Sequence, residues 1–178
     1  MNWLNPPKSW HQDDRRLTVT TSARTDFWRK THDGGIRDTG HFYYQEVEGD
    51  FELQLKVSGA YTELYDQAGA MVRVDESNWM KCGVELLNGV QQASVVMTRD
   101  FSDWSVIALP QDPPSLWLRV RRHGTTLEVE YSLDDKQYHL MRQASLLMQP
   151  VVQVGMMCCS PTGDGFTTTF EDFVVRSR

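Results

Sequence analysis

Residues 65–86 read YDQAGAMVRVDESNWMKCGVEL, and their alternation decides the fold class. Taking every second residue through the second half puts Trp79, Lys81, Gly83 and Glu85 on one face of a strand. Met80, Cys82, Val84 and Leu86 fall on the other, which is plainly core. The first face sets an indole, a cation and a carboxylate side by side, and core packing does not explain it.

The same period of two runs outward from this stretch. DFELQLKV places Phe51, Leu53, Leu55 and Val57 opposite Glu52, Gln54 and Lys56. Further alternating segments are AGAMVRV, QQASVVMTR, DWSVIAL, SLWLRVRR, LEVEYSL, YHLMR, PVVQVGMM and FTTTFEDFVVRS. Turn signals separate them: DESN at 75–78, NG at 88–89, HG at 123–124 and DD at 134–135. No segment keeps a helical period over three turns. Short alternating strands with regular turns predict an all-β, antiparallel two-sheet sandwich, formed by residues 1–178 as a single domain.

Two hairpins can be taken to the level of register. After Val74, a three-residue loop pairs Arg73 with Trp79 and Gln67 with Glu85, whereas a five-residue loop pairs Arg73 with Lys81. Like charges directly opposite are destabilising, while Arg against an indole gains about 0.5–1 kcal/mol at an exposed site, so the shorter loop is expected. Around His123 and Gly124, a two-residue turn pairs Arg119 with Glu128. A four-residue turn pairs Arg121 with Glu128 and Arg119 with Glu130. Both registers keep Leu118, Val120, Leu127 and Val129 on the core face.

Composition narrows the function. The 178 residues carry a net charge of -6, which argues against nucleic acid and against an anionic membrane surface as partners. No apolar run approaches the roughly 20 residues of a membrane span. The amino end, MNWLNPPKSW, lacks a basic region followed by an apolar stretch, so no signal peptide is expected. With three cysteines, Cys82, Cys158 and Cys159, the expectation is reduced thiols and a cytoplasmic location. Cys158 and Cys159 face opposite ways on a strand, and neither they nor the five histidines show metal-ligand spacing, so no metal or cofactor is expected.

The outer faces hold the candidates. Glu128 and Glu130 lie about 6.6–6.8 Å apart on one face, near the spacing of a glycosidase pair. Arg119 and Arg121 on the preceding strand favour a salt-bridged face instead, and paired carboxylates make poor general acids. Arg73, Trp79, Lys81 and Glu85 form the better site. An indole offers a flat apolar platform, and a cation beside a carboxylate can hydrogen-bond hydroxyls as donor and acceptor.

With these residues quoted, the chain resembles a known family. TDFWRKTHDGGIRDTGHFYYQEVEGDFELQLKV, YDQAGAMVRVDESNWMKCGVEL, VVMTRDFSDWS, YSLDDKQY and GMMCCSPTGDGF look like the regulation-of-enolase family, whose domain is otherwise classed as of unknown function. The family is similar to the concanavalin A-like lectin and glucanase superfamily. That resemblance implies a jelly roll with a concave face, where relatives bind or cleave carbohydrate. It picks out Phe27 and Trp28 of DFW, Asp66 and Gln67 of DQAG, Trp79, Lys81 and Glu85 of NWxKxGxE, and the SDWS block from Ser102 to Ser105. Glucanases of the superfamily carry glutamate, aspartate and glutamate in near alternation. Here only Glu128-Val129-Glu130 is comparable, which argues against glucanase activity.

The sequence is therefore read as a non-catalytic binding module for a polar small molecule or glycan. Trp28, Gln67, Arg73, Trp79, Lys81, Glu85 and Trp104 are the candidate ligand-binding residues. Trp104 has two readings, as a groove wall or as a loop anchor. The alternatives are a carbohydrate-active hydrolase using Glu85 or the Glu128/Glu130 pair, and a regulatory domain with a protein partner.

Overall fold

A computed structural model describes residues 1–178. It contains two seven-stranded antiparallel sheets and one separate hairpin. The first sheet is ordered β1 (Asn2–Leu4), β6 (His41–Glu48), β15 (Val151–Cys159), β8 (Gln67–Arg73), β9 (Asn78–Leu87), β10 (Val90–Arg99) and β11 (Phe101–Ala108). The second is ordered β14 (His139–Ser145), β13 (Thr126–Ser132), β12 (Leu116–His123), β7 (Phe51–Gly59), β16 (Thr167–Ser177), β3 (Arg16–Thr20) and β2 (Ser9–Asp13). The hairpin pairs β4 (Phe27–Arg29) with β5 (Ile36–Asp38). This is the expected all-β, concanavalin A-like jelly roll. No helix is long and apolar enough to cross a membrane.

The sheets meet through the faces that alternation assigned to the core. Phe51, Leu53, Leu55 and Val57 of β7 join Leu116, Leu118 and Val120 of β12 from one side. Ala68, Ala70 and Val72 of β8 and Met80, Cys82 and Val84 of β9 close on them from the other. Burying these apolar faces stabilises the sandwich by about 25 cal/mol per Å² removed from water.

Both register questions are settled. Arg73 pairs with Trp79 and Gln67 with Glu85, as the three-residue loop requires. Arg119 pairs with Glu130 and Arg121 with Glu128, the register reckoned for a longer turn. The ladder extends one pair further, to His123 and Thr126, so only Gly124 and Thr125 remain in the turn. Arg119 Nε lies 2.7 Å from Glu130 Oε2, and Arg121 lies 2.8 Å from both Glu130 and Glu52. Glu128 and Glu130 thus belong to an ion-paired face of the second sheet. That face is on the far side of the molecule from Glu85.

Six strands before Phe51 were not read from the sequence. The most consequential are β4 and β5, because the hairpin they form folds across the outer face of the first sheet. That sheet consequently has a second, smaller core, in which Phe27, Phe42, Met71, Trp79, Val96, Met157 and Cys159 are all buried.

Candidate functional site

Pairing across β8, β9, β10 and β11 arranges the outer face of the first sheet in rows. One row is Gln67, Glu85, Gln92 and Ala108; the next is Gly69, Gly83, Ser94 and Val106. Then come Met71, Lys81, Val96 and Trp104, and finally Arg73, Trp79, Thr98 and Ser102. The β4–β5 hairpin covers the last row. Gln67, Glu85, Lys81, Val96, Trp104 and Ser102 of these rows line a cavity of about 1010 Å³.

The hairpin is held down by side chains from the sheet. Arg73 grips Asp38 with two bonds, of 2.8 and 2.9 Å. Lys81 Nζ donates to the Phe27 carbonyl at 2.7 Å and lies 3.4 Å from Asp26 Oδ1. The Arg29 amide donates to Ser102 Oγ at 2.9 Å. The Phe27 ring meets the Trp79 indole at 6.2 Å between centroids.

These contacts correct two of the seven sequence-derived candidates. Trp79 does not line an open patch: it is 1% exposed, inside the second core, with Nε1 donating to the Glu76 carbonyl. Arg73 is buried and engaged with Asp38. Both residues lie beneath the hairpin and outside the cavity lining. The other five, Trp28, Gln67, Lys81, Glu85 and Trp104, all line the cavity.

Trp104 takes the groove-wall place. Its row position beside Val96 turns the half-buried ring to the cavity, and Tyr65 meets it nearly edge-on at 6.2 Å. Trp28 faces it from the hairpin, with Nε1 donating to the Thr31 carbonyl at 2.8 Å. Glu85, only 6% exposed, lines the same cavity. Ser94 Oγ donates to its Oε2 at 2.6 Å and Trp104 Nε1 at 2.9 Å. No protein donor reaches Oε1. Burial raises the Glu85 carboxyl above its ordinary range, against the opposing pull of Lys81 and of its two hydrogen bonds.

Two glycines let β8 and β9 pair closely on this face. Gly69 and Gly83 face each other across β8 and β9. A Cβ on Gly83 would lie 2.1 Å from the Ala68 carbonyl oxygen, and one on Gly69 would lie 1.9 Å from that of Cys82. No side chain fits at either position.

Sequence reasoning missed Asp26 and Tyr65 as lining residues, and Asp103 was picked out only through the SDWS resemblance. Tyr65 was legible, since it shares the parity of Gln67. His32 also stands at the mouth, exposed, with a left-handed φ of 77°. No group of three or more His, Cys, Asp or Glu side chains is placed to hold a metal ion. Cys158 and Cys159 point into different cores, and burial pushes the Cys82 thiol up to about 12, out of reach of thiolate chemistry. A smaller hollow of about 700 Å³, beside Leu17, Trp117 and Phe173, holds none of the candidates.

A concanavalin A-like sandwich with a covered cavity on one sheet is the class that this geometry defines. Residues 3–178 match the family described as protein of unknown function DUF1349, and the chain belongs to that family. It is 40% identical over 171 residues to regulation of enolase protein 1 of Saccharomyces cerevisiae, covering 96% of this chain and 86% of that one. A crystal structure of a functionally unknown protein from the same yeast superposes with a TM-score of 0.96 at 38% identity, covering 99% of this chain and 96% of that one. A legume lectin-like domain from Entamoeba histolytica shares the fold, with a TM-score of 0.66 at 10% identity, over 99% of this chain and 89% of that one. A Bacteroides ovatus xyloglucan-locus protein, GH43B, matches at a TM-score of 0.71 and 19% identity, over 92% of this chain but 33% of its own. These last two likenesses concern the fold alone.

Proposed function

We propose that the protein is a binding module whose cavity on the outer face of the first sheet holds a polar, carbohydrate-like ligand. The observation that carries this reading is Glu85: a carboxylate more than nine-tenths buried, on a cavity that two indoles also line, with one oxygen left for a donor that the protein does not supply. That oxygen opens on the cavity, where a ligand hydroxyl or amine can donate to it. Trp28 and Trp104 offer apolar faces to a ring, and Gln67 adds an amide whose Nε2 is tied to the Tyr65 carbonyl. Lys81 is engaged with the hairpin and positions the cover.

Intrinsic fluorescence and thermal shift against a panel of mono- and oligosaccharides test the reading. Trp104→Ala and Trp28→Ala are expected to abolish the response, while Trp117→Ala, on the other sheet, leaves it intact. Binding unaffected by either cavity indole would contradict the proposal.

One observation favours a second reading, glycoside hydrolysis. Asp26 and Glu85 both open on the cavity, and Glu85 is held toward its protonated form, as a general acid must be. Turnover of aryl glycosides that Glu85→Gln abolishes would establish it; no turnover leaves the binding module.

A further inference from the structure

We infer that the ligand carries one positive charge, an ammonium or guanidinium group on a ring-sized body, and that Glu85 receives it. This rests on the binding reading above and deepens it.

The charges around the cavity cancel in pairs, with one exception. Lys81 pairs with Asp26, and Arg37 with Asp33. Arg142 reaches Asp103 at 2.8 Å, and Arg24 lies 3.7 Å from Asp164 at the rim. Glu85 has no cation partner. Its two donors, the Ser94 hydroxyl and the Trp104 indole, are neutral, and both go to Oε2. The remaining titratable groups are Tyr65 on the wall and His32, exposed at the mouth. Ionised, Glu85 therefore leaves the cavity with one net negative charge, which the Lys81 ammonium, shared with Asp26, offsets only in part.

A cationic ligand relieves this in three ways. It gives the cavity-facing Oε1 a charge-assisted hydrogen bond from a donor. It restores the charge balance of the cavity. It also brings a cation to the aromatic wall of Trp104 and Tyr65, where attraction by the ring faces adds to the ion pair. A neutral sugar provides only the first, and more weakly. Lys81 offers little opposition, since Asp26 and the Phe27 carbonyl already engage its ammonium.

The test compares ligands that differ only in the charge. Titration calorimetry of the full chain at pH 6.5 would use glucosamine against glucose, and galactosamine against galactose. The amine-bearing member of each pair is expected to bind about tenfold tighter or better. Glu85→Gln should bring the two members together. If that variant does not fold, the same preference in the unaltered protein should shrink as pH falls and Glu85 takes up its proton. Equal or tighter binding of the neutral sugars would overturn the inference while leaving the binding reading in place. No heat with any of the four would overturn both.

Discussion

Replacing Trp79 by alanine should destabilise the protein more than truncating the residues that the sequence marks as core on the same strand. An exposed platform would be dispensable for folding. The structure instead places the indole among Phe27, Met71, Val96 and Met157, with the Lys81 ammonium 5.7 Å from the ring centroid. Removing a buried Trp costs about 3–5 kcal/mol, from lost transfer energy and the cavity left behind. Leu86, 8% exposed near the strand end, should sit toward the lower end of the range of about 2–5 kcal/mol, and Val84, with fewer methyl groups to lose, at about 2 kcal/mol. Trp104→Ala, half-buried, should cost about 1–2 kcal/mol, chiefly through its bond to Glu85. Urea unfolding at 25 °C measures all four. With a slope of about 2–3 kcal/mol per molar, Trp79→Ala should lower the midpoint by about 1–2 M. A shift under about 0.3 M, or one smaller than that of Trp104→Ala, would refute the second core as a source of stability.

Other outcomes follow from the same contacts. Glu85 has its carboxyl raised above 4.5, so its contribution to stability is fully present below that pH and is lost as pH rises through the folded value. Glu85→Gln should therefore gain stability over the unaltered protein as pH rises from 4.5 to 8, read from melting temperatures; a gain that shrinks would contradict this. His41 is held neutral, accepting from the Ser22 amide at Nε2 while Nδ1 faces the Asn5 carbonyl, and burial lowers it below 6.5. Its contribution is present above 6.5 and lost as pH falls, so His41→Gln should flatten the fall in stability between pH 7 and 5.5. Asp38→Asn removes the bidentate partner of buried Arg73 and should cost about 1–3 kcal/mol by urea unfolding, with faster amide exchange along residues 27–38. Unchanged exchange there would mean that this ion pair does not hold the cover.

The sandwich was legible because alternation is nearly uninterrupted from Phe51 onward, and because a wrong register would have set Arg73 against Lys81. The ion-paired face of Glu130 was legible for a similar reason: Arg119 and Arg121 share its parity. The cover over the first sheet was not. Nothing in the spacing of Phe27–Arg29 and Ile36–Asp38 says which sheet a short hairpin will lie across. A weaker signal was available in the strands beneath. β8 reads QAGAMVR and β10 contains ASVVM, apolar at both parities, as expected of strands buried on both faces. Met71 and Val96 should have marked the outer face as covered. That would have moved Trp79 to the core and left Trp104, between Asp103 and Ser105 in SDWS, as the better groove wall.

The most direct test of the cavity as a binding site is the set of six tryptophan indole signals in a 15N-labelled sample titrated with glucosamine. The Nε1–H signals of Trp28 and Trp104 should move together and saturate together, because both rings line the cavity. Those of Trp3, Trp10 and Trp117 should stay in place, and that of buried Trp79 should move little. Movement confined to Trp10 or Trp117, or no movement of Trp104 at saturating sugar, would contradict the account.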